Sequence, residues 1–230
     1  MLHLPRASGR APFFSEQAVR PVFSFIPNSK KARYSMRQFK DMHIIGIDHG
    51  YGNLKTVSGI FPASVLPFDQ EPIHAQDLLV YGGKYYVIGS GHREFTPDKV
   101  SNSDHYILTL AGIGQELWAH RMTNARVYIA AGLPLTWTSG QKADFRAYLM
   151  KNAEVEFTYK KADYHLYIDD VRIYPQGYAA IAGFGTTLKG VNLIADIGNG
   201  TMNTLYMING KPQQGKMFTE KFGTYQCTLA

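Results

Sequence analysis

The chain has 230 residues, 45% of them hydrophobic and 13% aromatic, which is enough apolar surface for one large domain or two small ones and excludes disorder of the whole chain. The 24 Lys/Arg against 18 Asp/Glu look basic, yet residues 1–41 hold 8 and 2 of these while residues 42–230 hold 16 and 16; a neutral body removes the main support for a nucleic-acid-binding domain. Cys227 is the single cysteine, which excludes a disulfide framework and a Cys-based metal site, and no apolar run approaches membrane-spanning length.

Residues 1–41 carry Arg6, Arg10, Arg20, Lys30, Lys31, Arg33, Arg37 and Lys40 without helical or alternating pattern. They are expected to form a disordered leader. An over-extended translation start at Met36 or Met42 explains it best; a targeting segment, or an anchor for nucleic acid or an acidic membrane, comes second. Ile44–Ile47 reads as a strand, Asp48-His49-Gly50-Tyr51-Gly52-Asn53 as a Gly-rich turn, and Leu54–Phe61 as the returning strand. Leu78–Tyr81 and Lys84–Ile88 flank Gly82-Gly83, a hairpin link. Ile107, Leu108, Leu110, Ile113, Leu117 and Trp118 recur at helical spacing, predicting a helix over Asp104–Met122 capped by Ser103 or Asp104.

Arg126–Ala131 reads as a buried strand running into Gly132-Leu133-Pro134-Leu135, followed by a helix over Ser139–Lys151 with Phe145, Leu149 and Met150 inward, a layered α/β unit. Val155–Tyr159, Tyr164–Ile168 and Val171–Tyr174 alternate as strands, with Asp169-Asp170 as a solvated hairpin tip. Pro175 is expected to open a helix over Gln176–Leu188. Val191–Ile197 reads as a buried strand, Gly198-Asn199-Gly200 as a turn, Thr201–Ile208 as a strand and Asn209-Gly210 as a hairpin.

Two segments repeat one design: Ile45 to Asn53 and Ala195 to Asn203. Each places an aspartate, Asp48 or Asp196, at the end of an apolar strand. Behind it come Gly50, Gly52 and Asn53, or Gly198, Asn199 and Gly200, whose backbone N–H groups suit phosphate oxygens. Lys55 lies seven positions after Asp48, within reach of a polyphosphate across the hairpin, and the Thr201 hydroxyl and Asn203 amide add donors. Aspartates facing a phosphate make electrostatic sense with Mg²⁺ between, an ion commonly held by one or two carboxylates plus phosphates. Gln176, at a helix start beside both turns, is placed to orient an attacking water. Hydrolysis then rests on positioning, metal charge and backbone donors. Either turn alone is more often an ordinary hairpin, and the pair carries the reading. The eight histidines have no metal-ligand spacing and are expected as polar or core residues, a phosphate contact by His49 being the lesser reading. Trp118, Trp137 and the tyrosines are expected to pack rather than stack bases, and Cys227 has no catalytic partner.

In these segments, together with Ala131-Gly132-Leu133-Pro134-Leu135 and Tyr174-Pro175-Gln176-Gly177-Tyr178-Ala179-Ala180, the chain resembles the actin, hexokinase and heat-shock ATPase superfamily. More narrowly it resembles the ParM/StbA group of bacterial actin-like plasmid segregation proteins, over residues 43 to about 208. The resemblance implies an α/β actin-like ATPase (ribonuclease H-like) fold, with the first domain over residues 42–188 and the opening hairpin of the second over 189–230. It implies that Asp48, Gly50, Asn53 and Lys55 form the first phosphate turn and Asp196, Gly198, Gly200 and Thr201 the second. Asp48 and Asp196 would then reach Mg²⁺ mainly through water, and Gln176 would orient the hydrolytic water on ATP. It further implies self-association into filaments in the bacterial cytoplasm, tied to plasmid DNA by an adaptor protein, with no direct nucleic-acid or membrane contact. Only 22 residues follow Ile208, and none matches the family's adenosine-binding stretch, so a truncated second domain is expected. Two other readings stay open: a small-molecule kinase of the same superfamily, which requires a carboxylate base near the phosphate, a part Gln176 cannot play, and a non-catalytic fragment or filament-capping partner.

Overall fold

The computed structural model describes residues 36–91, 104–177 and 188–227. Alternation of apolar and polar residues builds its central strands. In β2 (Met42–His49) the side chains of Ile45, Ile47 and His49 are buried; in β8 (Asn124–Leu133) those of Ala125, Val127, Ile129, Ala131 and Leu133 are. In β10 (Ala162–Pro175) Tyr164, Leu166 and Ile168 point inward, then Val171 and Ile173. These three strands run parallel with β8 in the middle. Beyond β10 the sheet continues through β9 (Glu154–Tyr159), β6 (Leu78–Tyr81), β7 (Lys84–Ile88) and the edge strand β5 (Val65–Phe68). Beyond β2 lie β3 (Asn53–Lys55) and β4 (Ile60–Pro62), and β1 (Arg37–Phe39) also pairs with β2, giving a ten-stranded sheet.

Helix α1 (Asp104–Ala119) is buried nearly all round because the sheet curls about it. Its small residues allow both halves to close in. A Cβ on Gly112 would lie 3.1 Å from Leu54 Cδ2 of β3, and one on Gly114 would lie 2.9 Å from the Tyr159 ring of β9. Helix α2 (Thr138–Leu149) adds Phe145 and Leu149, both fully buried, and Met150 is half-buried. Each such side chain removed from water contributes about 1.5–3 kcal/mol, so this layer holds the first sheet together.

Several expectations give way here. Residues 1–35 of the expected leader lie outside the described residues, but Arg37–Phe39 form β1 against Met42–Ile44, with all three side chains exposed and hence no burial pattern to read. The expected strand Leu54–Phe61 breaks at Thr56–Gly59. There Thr56 N–H donates to Gly59 O at 2.8 Å, while buried Glu116 accepts the Ser58 N–H at 2.6 Å and the Ser58 hydroxyl at 2.8 Å. Strand β5 contains Pro67 and accordingly lies at the sheet edge, where a missing N–H costs nothing. Asp169-Asp170 is not a hairpin tip: both residues lie inside β10, whose ladder to β8 slips between Ile168 and Asp170. Asp169 accepts from the Arg126 guanidinium, and Asp170 from Arg146 of α2 at 2.7 Å and Arg172 at 3.1 Å. The hydrogen bond from Arg146 holds the Asp170 carboxyl below the usual carboxylate range.

A second sheet of three antiparallel strands follows: β11 (Val191–Ile197), β12 (Met202–Ile208) and β13 (Lys211–Glu220). The strand expected as buried, Val191–Ile197, covers only one face, for Val191, Leu193 and Ile197 are 60–66% exposed while Leu205 and Met207 on β12 are buried. A continuous apolar run reads as buried on both sides in a parallel sheet. In an antiparallel sheet one covered face is enough.

Candidate functional site

Strands β2, β8 and β10 end together at His49, Leu133 and Pro175, so the segments that follow them meet along one rim, the position where open α/β sheets place ligands. A cleft of about 680 Å³ opens there. Asp48, Gly50, Gly52, Asn53, Lys55, Gln176, Asp196, Gly198, Asn199, Gly200, Thr201 and Asn203 all line it. The sequence therefore placed these residues in one cleft although 155 positions separate Asp48 from Asn203.

Gln176 is held on three sides. Its N–H donates to Leu133 O at 2.7 Å, its Nε2 donates to Asp48 Oδ1 at 2.9 Å, and a Cβ on Gly132 would lie 3.0 Å from its Cγ. Gln176 itself lies in a turn and not in a helix. Pro175 is the last residue of β10 and Gln176-Gly177 form a turn, with Gly177 at φ 78; the rest of the expected helix, from Tyr178 to Thr187, lies outside the described residues. Lacking a Cβ, Gly177 lets this turn approach Asp196, whose Cβ would otherwise be 3.3 Å away. Lys55 pairs with Asp48 in the β2–β3 register and its Nζ lies 3.4 Å from Asp48 Oδ2. Both side chains are about half exposed, so this ion pair is worth little and yields readily to an arriving anion.

The two turns interlock reciprocally. Tyr51, at the tip of the first, packs its ring on Gly200, and Asn199, at the tip of the second, lies on Gly52, where any Cβ would overlap its Nδ2. The sequence did not single out Gly223 and Thr224, which back the second turn: Thr224 N–H donates to Gly198 O at 3.0 Å, and a Cβ on Gly223 would collide with Asn199 O. A Gly-Thr pair beyond the last strand is the one signal that pointed there.

His49 turns into the core. It is 2% exposed, its Nε2–H donates to Thr109 Oγ1 at 2.7 Å, and the Thr109 hydroxyl proton goes to His105 O, which fixes the direction of the first bond. This overturns the lesser reading of His49 as a phosphate contact. Asn203 is also buried, and its Oδ1 accepts from Leu135 N–H at 3.2 Å and from the Thr219 hydroxyl at 2.8 Å. Among the described residues no cluster of three or more His, Cys, Asp or Glu side chains forms, so the cleft offers a cation two carboxylates, Asp48 and Asp196, with the remainder left to water and ligand. That donor set fits Mg²⁺ and does not fit a metal caged entirely by protein.

Among solved structures the chain is similar to apo pSK41 ParM, at 16% identity and a TM-score of 0.65, covering 80% of this chain and 68% of that one. It is similar to Ta0583, an archaeal actin homologue, at 19% identity and a TM-score of 0.64, covering 79% and 63%. It is similar to AlfA of B. subtilis plasmid pLS32 in its filament structure, at 18% identity and a TM-score of 0.62, covering 80% and 73%. Ta0583 has also been solved with ADP, and the AlfA filament bound to AMPPNP. The chain spans as little as 63% of these relatives' length, and at such identities the likeness establishes the fold. No curated protein matches. Among the described residues no helix is long and apolar enough to cross a membrane. Residues 46–178, more than half of the chain, match the N-terminal domain of actin-like proteins, and the chain belongs to that family.

Proposed function

We propose that the cleft binds ATP with Mg²⁺ and hydrolyses it, and that the protein couples this cycle to filament assembly in the cytoplasm during segregation of a plasmid or other mobile element. The observation that carries the reading is the Gln176–Asp48 hydrogen bond at the point where two Gly-rich turns converge. Backbone N–H groups of Gly50 to Asn53 and of Asn199 to Thr201 bind phosphate oxygens, while the Gly198 N–H closes the second turn on Thr201 O at 2.8 Å. Lys55 exchanges its weak pairing with Asp48 for a phosphate oxygen, which leaves the Asp48 and Asp196 carboxylates to hold the hydrated cation. When bound, Mg²⁺ supplies the positive charge that offsets the phosphate oxygens. Gln176 orients a water through its amide and takes no proton. A kinase would need a carboxylate base near the phosphate, and the Gln176 amide cannot act as one, which favours hydrolysis. The neutral body favours contact with DNA through an adaptor protein over direct contact. AlfA, from a B. subtilis plasmid, has been solved as a filament, which supports self-association as the working state.

Isothermal titration of the chain with Mg·ATP tests the reading. Binding is expected, weakened about tenfold or more by Lys55→Ala or Asp196→Asn, the weight of one charge-assisted hydrogen bond. Gln176→Ala should lower hydrolysis by roughly 10²-fold while leaving binding near the parent value. Absence of nucleotide binding by this chain and by a longer version overturns the proposal; absence in this chain alone supports the fragment reading. Nucleotide-dependent pelleting of the longer version checks the filament.

A further inference from the structure

The second turn is tied to the first sheet by a small directional network. After β8 the chain runs through Leu133-Pro134-Leu135-Thr136, and two successive amides of this loop are captured by the second sheet. Leu135 N–H donates to Asn203 Oδ1 at 3.2 Å, and Thr136 N–H donates to Thr219 Oγ1 at 3.1 Å. The Thr219 hydroxyl, having accepted there, donates its own proton to Asn203 Oδ1 at 2.8 Å. A backbone N–H has no alternative role, so the oxygen end of the Asn203 amide is fixed toward the loop.

The register makes this more than a local staple. Asn203 of β12 pairs with Asp196 of β11 on one side and with Thr219 of β13 on the other, so the three residues stand in a row across the sheet. The same loop takes Gln176 N–H on Leu133 O at 2.7 Å, and Gly177 abuts Asp196. One loop of the first sheet thus fixes Gln176 at its start and the Asp196 row at its end.

We propose that Asn203 and Thr219 are positioning residues that lock the second sheet onto residues 133–136 and set Asp196 and the Gly198–Gly200 turn against Gln176 and Asp48. Asn203 then acts in nucleotide binding through Asp196, its acceptor being spent on the loop. The functional consequence rests on the nucleotide reading above; the network does not.

Thr219 is half-buried and outside the candidate binding residues, which makes it the position to test. Thr219→Val keeps the shape and removes the hydroxyl, and Thr219→Ser keeps the hydroxyl. Residue-resolved amide exchange is expected to speed up at Leu135 and Thr136 in T219V by about tenfold, the scale of one lost hydrogen bond, while the β8 and β10 ladders stay protected and T219S restores the parent rates. Mg·ATP affinity is expected to fall about threefold to tenfold in T219V, to recover in T219S, and to show no further fall when T219V is added to D196N. Parent-like exchange in T219V overturns the lock. Faster exchange with unchanged affinity, or an equal affinity loss with and without D196N, overturns the positioning role. If the unmodified protein binds no nucleotide, the proposed function fails while amide exchange still decides the lock.

Discussion

In the first sheet Ile45, Ile47, Val127, Ile129 and Leu166 are at most 2% exposed, while β11 of the second sheet leaves Val191, Leu193 and Ile197 at 60–66%. The same kind of turn therefore hangs from two different supports. The first follows a strand sealed beneath α1, and its position is set by packing. The second follows a strand that covers one face only and takes its position from polar contacts: Asn203 with Leu135, Thr219 with Thr136, and Thr224 with Gly198. Packing is dense and costly to disturb, whereas such hydrogen bonds contribute about 0.5–1.5 kcal/mol each. The contrast breaks most directly by truncating one leucine on each side. Leu110→Ala in α1, fully buried, should lower unfolding free energy by about 2–5 kcal/mol in a denaturant titration. Leu193→Ala, 66% exposed, should stay within about 0.5 kcal/mol of the parent protein. A large loss at Leu193 shows that its face is covered in solution.

The next effect lies within the first sheet, where packing and chemistry touch. Gly132 faces the Gln176 side chain across a gap that a methyl group would reduce to 3.0 Å. Gly132→Ala is expected to displace the Gln176 amide from Asp48 and to slow phosphate release by about tenfold, with unfolding free energy lowered by no more than about 1 kcal/mol. Steady-state turnover measured beside denaturation separates the two. Equal turnover means that Gln176 does not depend on this contact.

The same division explains what the sequence disclosed. Features with a local cause were legible: the alternation of β8, the helical spacing of α1, the Gly82-Gly83 turn at φ 58 and 74, and the matched Asp and Gly spacing of the two turns. Features with a distant cause were not. The break at Thr56–Gly59 depends on Glu116, 58 positions beyond Ser58, and Gly223 matters through Asn199. Asp169-Asp170 looks like a tip because adjacent acids favour solvent, but Arg126, Arg146 and Arg172 supply partners that keep them inside β10. Strand β1 has no inward side chain and left no pattern at all.

Acid tests the first sheet through one of those carboxylates. Asp170 is held by Arg146, Arg172 and the Val171 N–H, with its native pKa below that of the unfolded chain, about 3.9. The native state binds this proton more weakly than the unfolded state. Its contribution is therefore complete above about pH 5, and it is lost as pH falls through the unfolded value and then the lowered native one. The stability difference between the parent protein and Asp170→Asn should be constant from pH 7 to 5 and shrink below about pH 4. A difference that grows toward acid contradicts the lowered native pKa of Asp170.

The smallest effect compares two hairpins of like geometry, one per sheet. Asn209-Gly210, between β12 and β13, sits at φ 48 and 74 with residues suited to left-handed backbone. Lys160-Lys161, between β9 and β10, sits at φ 51 and 65, where side chains with a Cβ are disfavoured by roughly 1–2 kcal/mol each. Lys160 offsets that cost, its Nζ lying 3.1 Å from Asp77, 2.9 Å from Gln115 and 5.3 Å from the Trp118 ring centre. Lys161 is exposed, so its left-handed backbone is a net cost to the first sheet. Lys161→Gly removes the Cβ conflict and returns part of the gain as unfolded-chain entropy, for a net stabilisation of about 0.5–1 kcal/mol. Lys160→Gly loses the charge contacts along with the strain and should come out near zero. Gly210→Lys imposes the same conflict on the second sheet and should cost about 1 kcal/mol. Thermal unfolding of the three variants ranks them, and a Lys161→Gly protein no more stable than its parent shows that the β9–β10 turn carries no such strain.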